Sequence, residues 1–158
     1  MSAPIDIIDE FKNVIAALVS KKLAFAVCGG FAVAIYGHVR ATKDIDLLVE
    51  AGSVESIFAA LVPLGFSLRA GPISFAAGTP QERTLFRATK VVGNDHLTID
   101  LLVVSPILSN VWALRREAEW AGLPLSVVSR EGLGEMKLLA GRKQDFADLE
   151  ALGIEVKP

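Results

Sequence analysis

The sequence predicts an α/β (α+β) domain in which a small mixed sheet is flanked by helices. Three observations carry that reading. Apolar residues at Ile5, Ile8, Phe11, Ile15, Leu18 and Val19 recur with the period of a helix. Short, nearly apolar runs at 23–28, 45–49 and 97–104 have the length of buried strands. Between the runs lie helix signals: Ser53 ahead of one segment, Ser129 ahead of another, and Pro63 with Gly65 closing the first.

Taken in order, residues 4–20 form the first predicted helix, with Pro4 in its first turn and Asp6, Asp9 and Glu10 complementing its dipole. A buried strand follows at Leu23–Cys28 and ends at Gly29, then a short helix at 31–36 stopped by Gly37. The second strand covers 45–49, and a helix runs from Ser53 to about Leu61. A short third strand is expected at 66–69. Residues 70–80 hold Gly71, Pro72, Gly78 and Pro80 and read as a loop or irregular hairpin. Arg83–Thr89 alternates as an edge strand, Gly93-Asn94-Asp95 is a turn, and 97–104 is a strong strand whose one charge is Asp100. Ser105-Pro106 opens a helix reaching about Arg116, and a last strand covers 125–128. Helices at 130–140 and about 143–152 are divided at Gly141. The expectation is one domain over 1–158, its core at about 23–128, without repeats or linkers.

Composition narrows the function. Hydrophobic residues are 52% and charged residues 22%, an ordinary globular balance. A net charge of −2 argues against a dominant non-specific nucleic-acid binder, so any RNA or DNA contact must be local. The single cysteine, Cys28, cannot form an internal disulfide and reads as a small core residue. His38 and His96 lack neighbours at zinc-ligand spacing. The apolar stretch from Val14 to Tyr36 is cut by Lys21, Lys22, Gly29 and Gly30, and the early acids replace the positive start of a signal peptide. The expected setting is cytoplasmic, with no membrane partner.

The chemistry concentrates in 28–49. Gly29-Gly30 sits where a strand gives way to a helix, a place where the backbone can approach a phosphate. Asp44 and Asp46 alternate along a strand and so share one face. Two carboxylates beside a phosphate cradle suit a Mg²⁺–nucleotide site. Asp100 stands alone in an apolar strand, where an unpaired charge would cost several kcal/mol. Two readings of it stand: it joins Asp44 and Asp46 around a metal, or it is satisfied by Arg40, Lys43 or a backbone cap.

The ordered set of strand, Gly-Gly, short helix, Asp-x-Asp strand and later lone Asp resembles the nucleotidyltransferase superfamily related to polymerase beta. The run Arg40-Ala41-Thr42-Lys43-Asp44-Ile45-Asp46 is similar to the form found in small bacterial members, including the abortive-infection toxin type. Residues Met136 to Leu149 are similar to their Lys-x-x-x-x-x-Arg-x-x-Asp-x-x-Asp-Leu segment. The resemblance implies a small, strongly curved sheet and transfer of a nucleoside monophosphate from an NTP to an acceptor hydroxyl. It further implies Asp44, Asp46 and Asp100 as catalytic residues holding two Mg²⁺ ions. Gly29, Gly30, Arg40, Lys43 and Lys137 would contact the nucleotide, and Asp145 and Asp148 would organise the basic segment.

The chain departs from the pattern at Phe31, where many catalytic members carry a serine that bonds the triphosphate. A binding or regulatory module without turnover is therefore the alternative, and an antibiotic-modifying transferase is a third. The acceptor is left open among RNA or tRNA, a protein and a small molecule. A cognate antitoxin or a homodimer are further expected partners, and Trp112 and Trp120 belong either to the core or to such a dimer surface.

Overall fold

The computed structural model describes residues 5–155. Helix α1 (Ile7–Ser20) begins at Asp6, whose side chain accepts hydrogen bonds from the amides of Ile8 and Asp9. The predicted place of Pro4 in its first turn lies outside the described residues. Strand β1 (Ala26–Cys28) leads directly into α2 (Gly29–Ile35), so the glycine pair forms the first turn of that helix. Strand β2 (Asp44–Val49) is followed by α3 (Val54–Leu61).

Of the segment read as a loop or irregular hairpin, residues 70–75 are strand and 76–80 are the turn of an irregular hairpin. β3 (Leu68–Phe75) pairs antiparallel with β4 (Arg83–Val92) and absorbs Gly71 and Pro72 in an irregularity between Ala70 and Ile73. Being at the sheet edge, β3 tolerates a proline without a broken ladder on its outer side. This also corrects the placement of 83–89, which is interior and not an edge. Gly93-Asn94 is the two-residue turn to β5 (Asp95–Val103).

After β5, the predicted long helix is cut short to a 3-10 turn at Pro106–Leu108 and α4 (Ser109–Ala113). A strand missed by the sequence reading, β6 (Arg116–Trp120), then forms a hairpin with β7 (Leu123–Val127). Ala121 and Gly122, both at positive φ (52° and 77°), make the turn. Helices α5 (Arg130–Ala140) and α6 (Lys143–Ala151) follow, with Ser129 capping α5 and left-handed Gly141 ending it.

The seven strands of the described residues form one mixed sheet in the order β3-β4-β5-β2-β1-β7-β6. β2 and β5 run parallel at its centre. One face carries Ile45, Leu47, Val49, Ile99, Leu101 and Val103, all buried. Helices α1 and α3 cover it: Phe58 of α3 meets Phe86 edge-on at 6.2 Å, and Glu10 of α1 pairs with Lys90 at 2.8 Å. The other face of the central strands is left to α5 and a cleft.

Candidate active site

Strand register dictates what that second face presents. Cys28 on β1 opposes Asp46 on β2, Asp46 opposes Asp100 on β5, and Asp100 opposes Arg87 on β4. One row across four strands therefore reads thiol, carboxylate, carboxylate, guanidinium. On one side of it lies a polar row, Asp44–Thr98–Thr89, and on the other an apolar row, Leu48–Leu102–Leu85. Neighbouring strands are about 4.8 Å apart and successive rows about 6.6 Å apart. The three aspartates predicted from the sequence are brought to one face.

Their electrostatics follow from that crowding. Among the described residues, neither the Asp44 nor the Asp46 carboxylate accepts a hydrogen bond or an ion pair. Burial, and then the carboxylates of Asp100 and Asp44, push the Asp46 carboxyl up to about 7. Asp44 is raised too, by burial first and then by Asp100. The Cys28 thiol is driven well above its ordinary value by burial and by Asp46, which suits an inert core residue.

The protein partner of Asp100 is not Arg40, Lys43 or a backbone cap but Arg87. Arg87 grips it with two bonds, Nε to Oδ1 at 2.8 Å and Nη2 to Oδ2 at 3.3 Å. Neither Arg40 nor Lys43 touches it. Arg40 is committed elsewhere, and Lys43 is exposed. With Arg87 on Asp100, no three carboxylate, imidazole or thiol groups among the described residues stand together at metal-ligand spacing. The donor set still has the chemistry of a Mg²⁺ site: hard carboxylate oxygens from adjacent strands, those of Asp44 and Asp46 on β2 unpartnered and mutually repelling and that of Asp100 on β5 beside them.

The glycine pair is fixed by what lies against it. A Cβ on Gly29, whose φ is +64°, would stand 2.1 Å from Asp46 Oδ2. One on Gly30 would stand 2.6 Å from Thr42 Oγ1. Both glycines thus exist partly so that the Thr42–Asp46 segment can press onto the first turn of α2. The N-cap of that helix, Cys28, makes no side-chain hydrogen bond, which leaves the leading amides uncapped.

A second network ties this segment to the C-terminal helices. Arg40 donates to both oxygens of Asp148 at 2.8 and 2.9 Å, and Lys137 reaches Asp148 at 2.9 Å and Asp145 at 3.2 Å. Arg142 closes the chain on Asp145 at 2.8 Å. Asp145 and Asp148 are fully buried and Lys137 is 5% exposed. Burial alone would raise the Asp148 carboxyl, but hydrogen bonds from Arg40, Lys137 and Gln144 outweigh it and hold it at about 2. Arg40 is therefore an anchor, while Lys137 spends two of its three donors on this network.

Between the sheet face and α5 lies a cavity of about 300 Å³, lined by Asp46, Asp100, Arg87, Lys137 and Arg142 on its polar side and by residues such as Leu102 and Met136 on its apolar side. No protein-family model and no curated protein matches the sequence. Solved structures do match. One is the candidate nucleotidyltransferase TM1012 of Thermotoga maritima, at TM-score 0.62 and 15% identity over 92% of this chain and 91% of that one. Another is ANT(2")-Ia in complex with adenylyl-2"-tobramycin, at 0.60 and 18% over 92% and 86%. A third is the lincomycin-bound lincosamide adenylyltransferase LnuA, at 0.56 and 14% over 98% and 100%. The chain has the nucleotidyltransferase fold.

Within the nucleotidyltransferase fold, two open points of the sequence reading resolve. Phe31 does not face the cleft: its ring stacks on Phe11 at 4.0 Å and meets Trp120 edge-on at 5.8 Å. The aromatic that follows the glycines serves the core. Trp120 belongs to that cluster, and Trp112 is half-buried with Arg115 stacked over it at 3.9 Å. The sequence reading missed Arg87 and gave no role to Arg142. Arg87 was recoverable, because counting back from the Gly93-Asn94 turn pairs it with Asp100.

Proposed function

We propose that this protein transfers a nucleoside monophosphate from an NTP to an acceptor hydroxyl, with pyrophosphate leaving. The observation that carries the reading is the in-register pair Asp46–Asp100 on the floor of a cavity lined by Arg87, Lys137 and Arg142, with Asp44 two residues before Asp46 on the same face of β2. Asp44, Asp46 and Asp100 are the residues that would hold two Mg²⁺ ions, which when bound neutralise triphosphate charge and make the acceptor hydroxyl more acidic. The uncapped amides at Gly29 offer donors to a phosphate, and Lys137 has one donor left to offer. Arg142, with its side chain 74% exposed, reaches into the same space. Asp100, once free of Arg87, would accept the hydroxyl proton. Catalysis would come mainly from positioning and charge. A cytoplasmic setting fits; no helix among the described residues is long and apolar enough to cross a membrane.

The acceptor distinguishes sub-readings. A toxin restrained by a cognate antitoxin would label RNA, tRNA or protein, whereas an antibiotic enzyme, as the ANT(2")-Ia and LnuA likenesses suggest, would label a small molecule. The test is titration with each NTP, with and without Mg²⁺, followed by labelled-NTP transfer to total RNA, protein, an aminoglycoside and a lincosamide. Expected is Mg²⁺-dependent binding and one labelled acceptor, both lost in Asp46→Asn; transfer that survives in that variant would refute the carboxylate roles. The second reading, a nucleotide-binding module without turnover, is favoured by the Arg87 grip on Asp100. It predicts Mg²⁺-dependent NTP binding with no labelled product.

A further inference from the structure

The row Asp46–Asp100–Arg87 contains its own counter-ion. The Asp100 side chain is 12% exposed, while that of Arg87 is 44% exposed and reaches in from the flanking strand. Asp100 is set into the sheet, and the guanidinium is the partner with room to leave. Arg87 brings one positive charge to a face with three carboxylates, so Asp44 and Asp46 stay uncompensated. A divalent cation would offer more charge at shorter range than a guanidinium. Once such a cation sat on Asp100, its charge would repel Arg87 over a few ångströms. The displaced guanidinium would remain in the cavity, beside Lys137 and Arg142. There its planar fork suits phosphate oxygens.

We infer that Arg87 is a two-position binding residue: it neutralises Asp100 in the free protein and transfers to the nucleotide's phosphates when Mg²⁺ takes the carboxylates. This rests on the transferase reading above and adds to it a competitor built into the site. Arg87 is thereby an opponent of the metal and an ally of the nucleotide. A residue serving only to hold β4 against β5 would lack that double sign.

The experiment is calorimetric titration of wild type and Arg87→Ala, first with MgCl2 alone and then with inorganic triphosphate in saturating Mg²⁺. Arg87→Gln is the companion variant, preserving most of the side-chain volume without the charge, and circular dichroism confirms that each is folded. Expected is Mg²⁺ binding about tenfold tighter in both variants, the factor equivalent to about 1.4 kcal/mol. Binding of Mg²⁺-triphosphate should be about tenfold weaker. Mg²⁺ affinity unchanged or reduced in the variants, or triphosphate affinity unchanged, would overturn the inference and leave the transferase reading standing. Absence of Mg²⁺ binding in wild type and variants alike would overturn both.

Discussion

Replacing Asp46 with asparagine should stabilise this protein, and by an amount that depends on pH. Asp46 is the most strained charge of the face: burial and two neighbouring carboxylates move its carboxyl from 3.8 to about 7. A shift of about three units corresponds to ~4 kcal/mol, at ~1.36 kcal/mol per unit. For an acid whose folded pKa is raised, the native state holds its proton more tightly than the unfolded chain. Stability is therefore undiminished below about pH 4, falls as the pH rises through 7, and is flat above. Asparagine keeps the shape and cannot ionise, so it escapes that loss. Urea unfolding of wild type and Asp46→Asn in EDTA, at pH 4 and pH 8, measures the difference directly. The variant should gain under about 1 kcal/mol at pH 4 and up to ~4 kcal/mol at pH 8. A gain that does not vary with pH, or a variant less stable at pH 8, would refute the electrostatic account. The same variant is expected to lose Mg²⁺-dependent nucleotide binding, so function and stability should move in opposite directions.

Other expectations are simpler. Gly29→Ala forces a Cβ to within 2.1 Å of Asp46 Oδ2 at a left-handed φ, and should cost at least about 2 kcal/mol in a denaturant melt. Asp148→Ala takes from Arg40 its carboxylate partner and leaves Lys137 with Asp145 alone, and should cost about 3 kcal/mol, read as a lowered urea midpoint. Because the Asp148 carboxyl is held at about 2, below its ordinary 3.8, its stabilisation is present above about pH 4 and lost as the pH falls through 2. An acid titration should show ~2 kcal/mol of that loss, absent from Asp148→Asn. Phe31→Ser, which restores the hydroxyl of the family pattern, should cost about 3–5 kcal/mol by thermal or urea melting, because it empties an aromatic stack.

How much of this was legible in the sequence depended on whether a signal was local. The alternation of Asp44 and Asp46 and the isolation of Asp100 are local patterns, and the structure sets all three on one face. Gly71 and Pro72 end the predicted third strand at 69 because they are breakers in an interior strand, and nothing local says that this strand is an edge and runs on to Phe75 as one arm of an irregular hairpin. β6 has no strand signal of its own, because Arg116-Glu117-Ala118-Glu119 are helix formers just beyond the predicted helix end at about Arg116. Its pairing with β7 overrides that preference. The grip of Arg87 on Asp100 was present in the register of a turn already recognised. The bond from Arg40 to Asp148 was not, since 108 residues separate the partners and no pattern in either segment names the other.

That long-range bond also fixes an order in time. Asp148 follows Asp46 by 102 residues. A ribosome adding about 5–20 residues per second makes the acidic strand roughly 5–20 s before the anchors of its lead-in loop exist. Arg40 has no Asp148 to grip during that interval, and Lys137 is made only near its end. The growing chain thus carries its crowded carboxylates before the clamp that seats them, and the site closes only with the synthesis of α6.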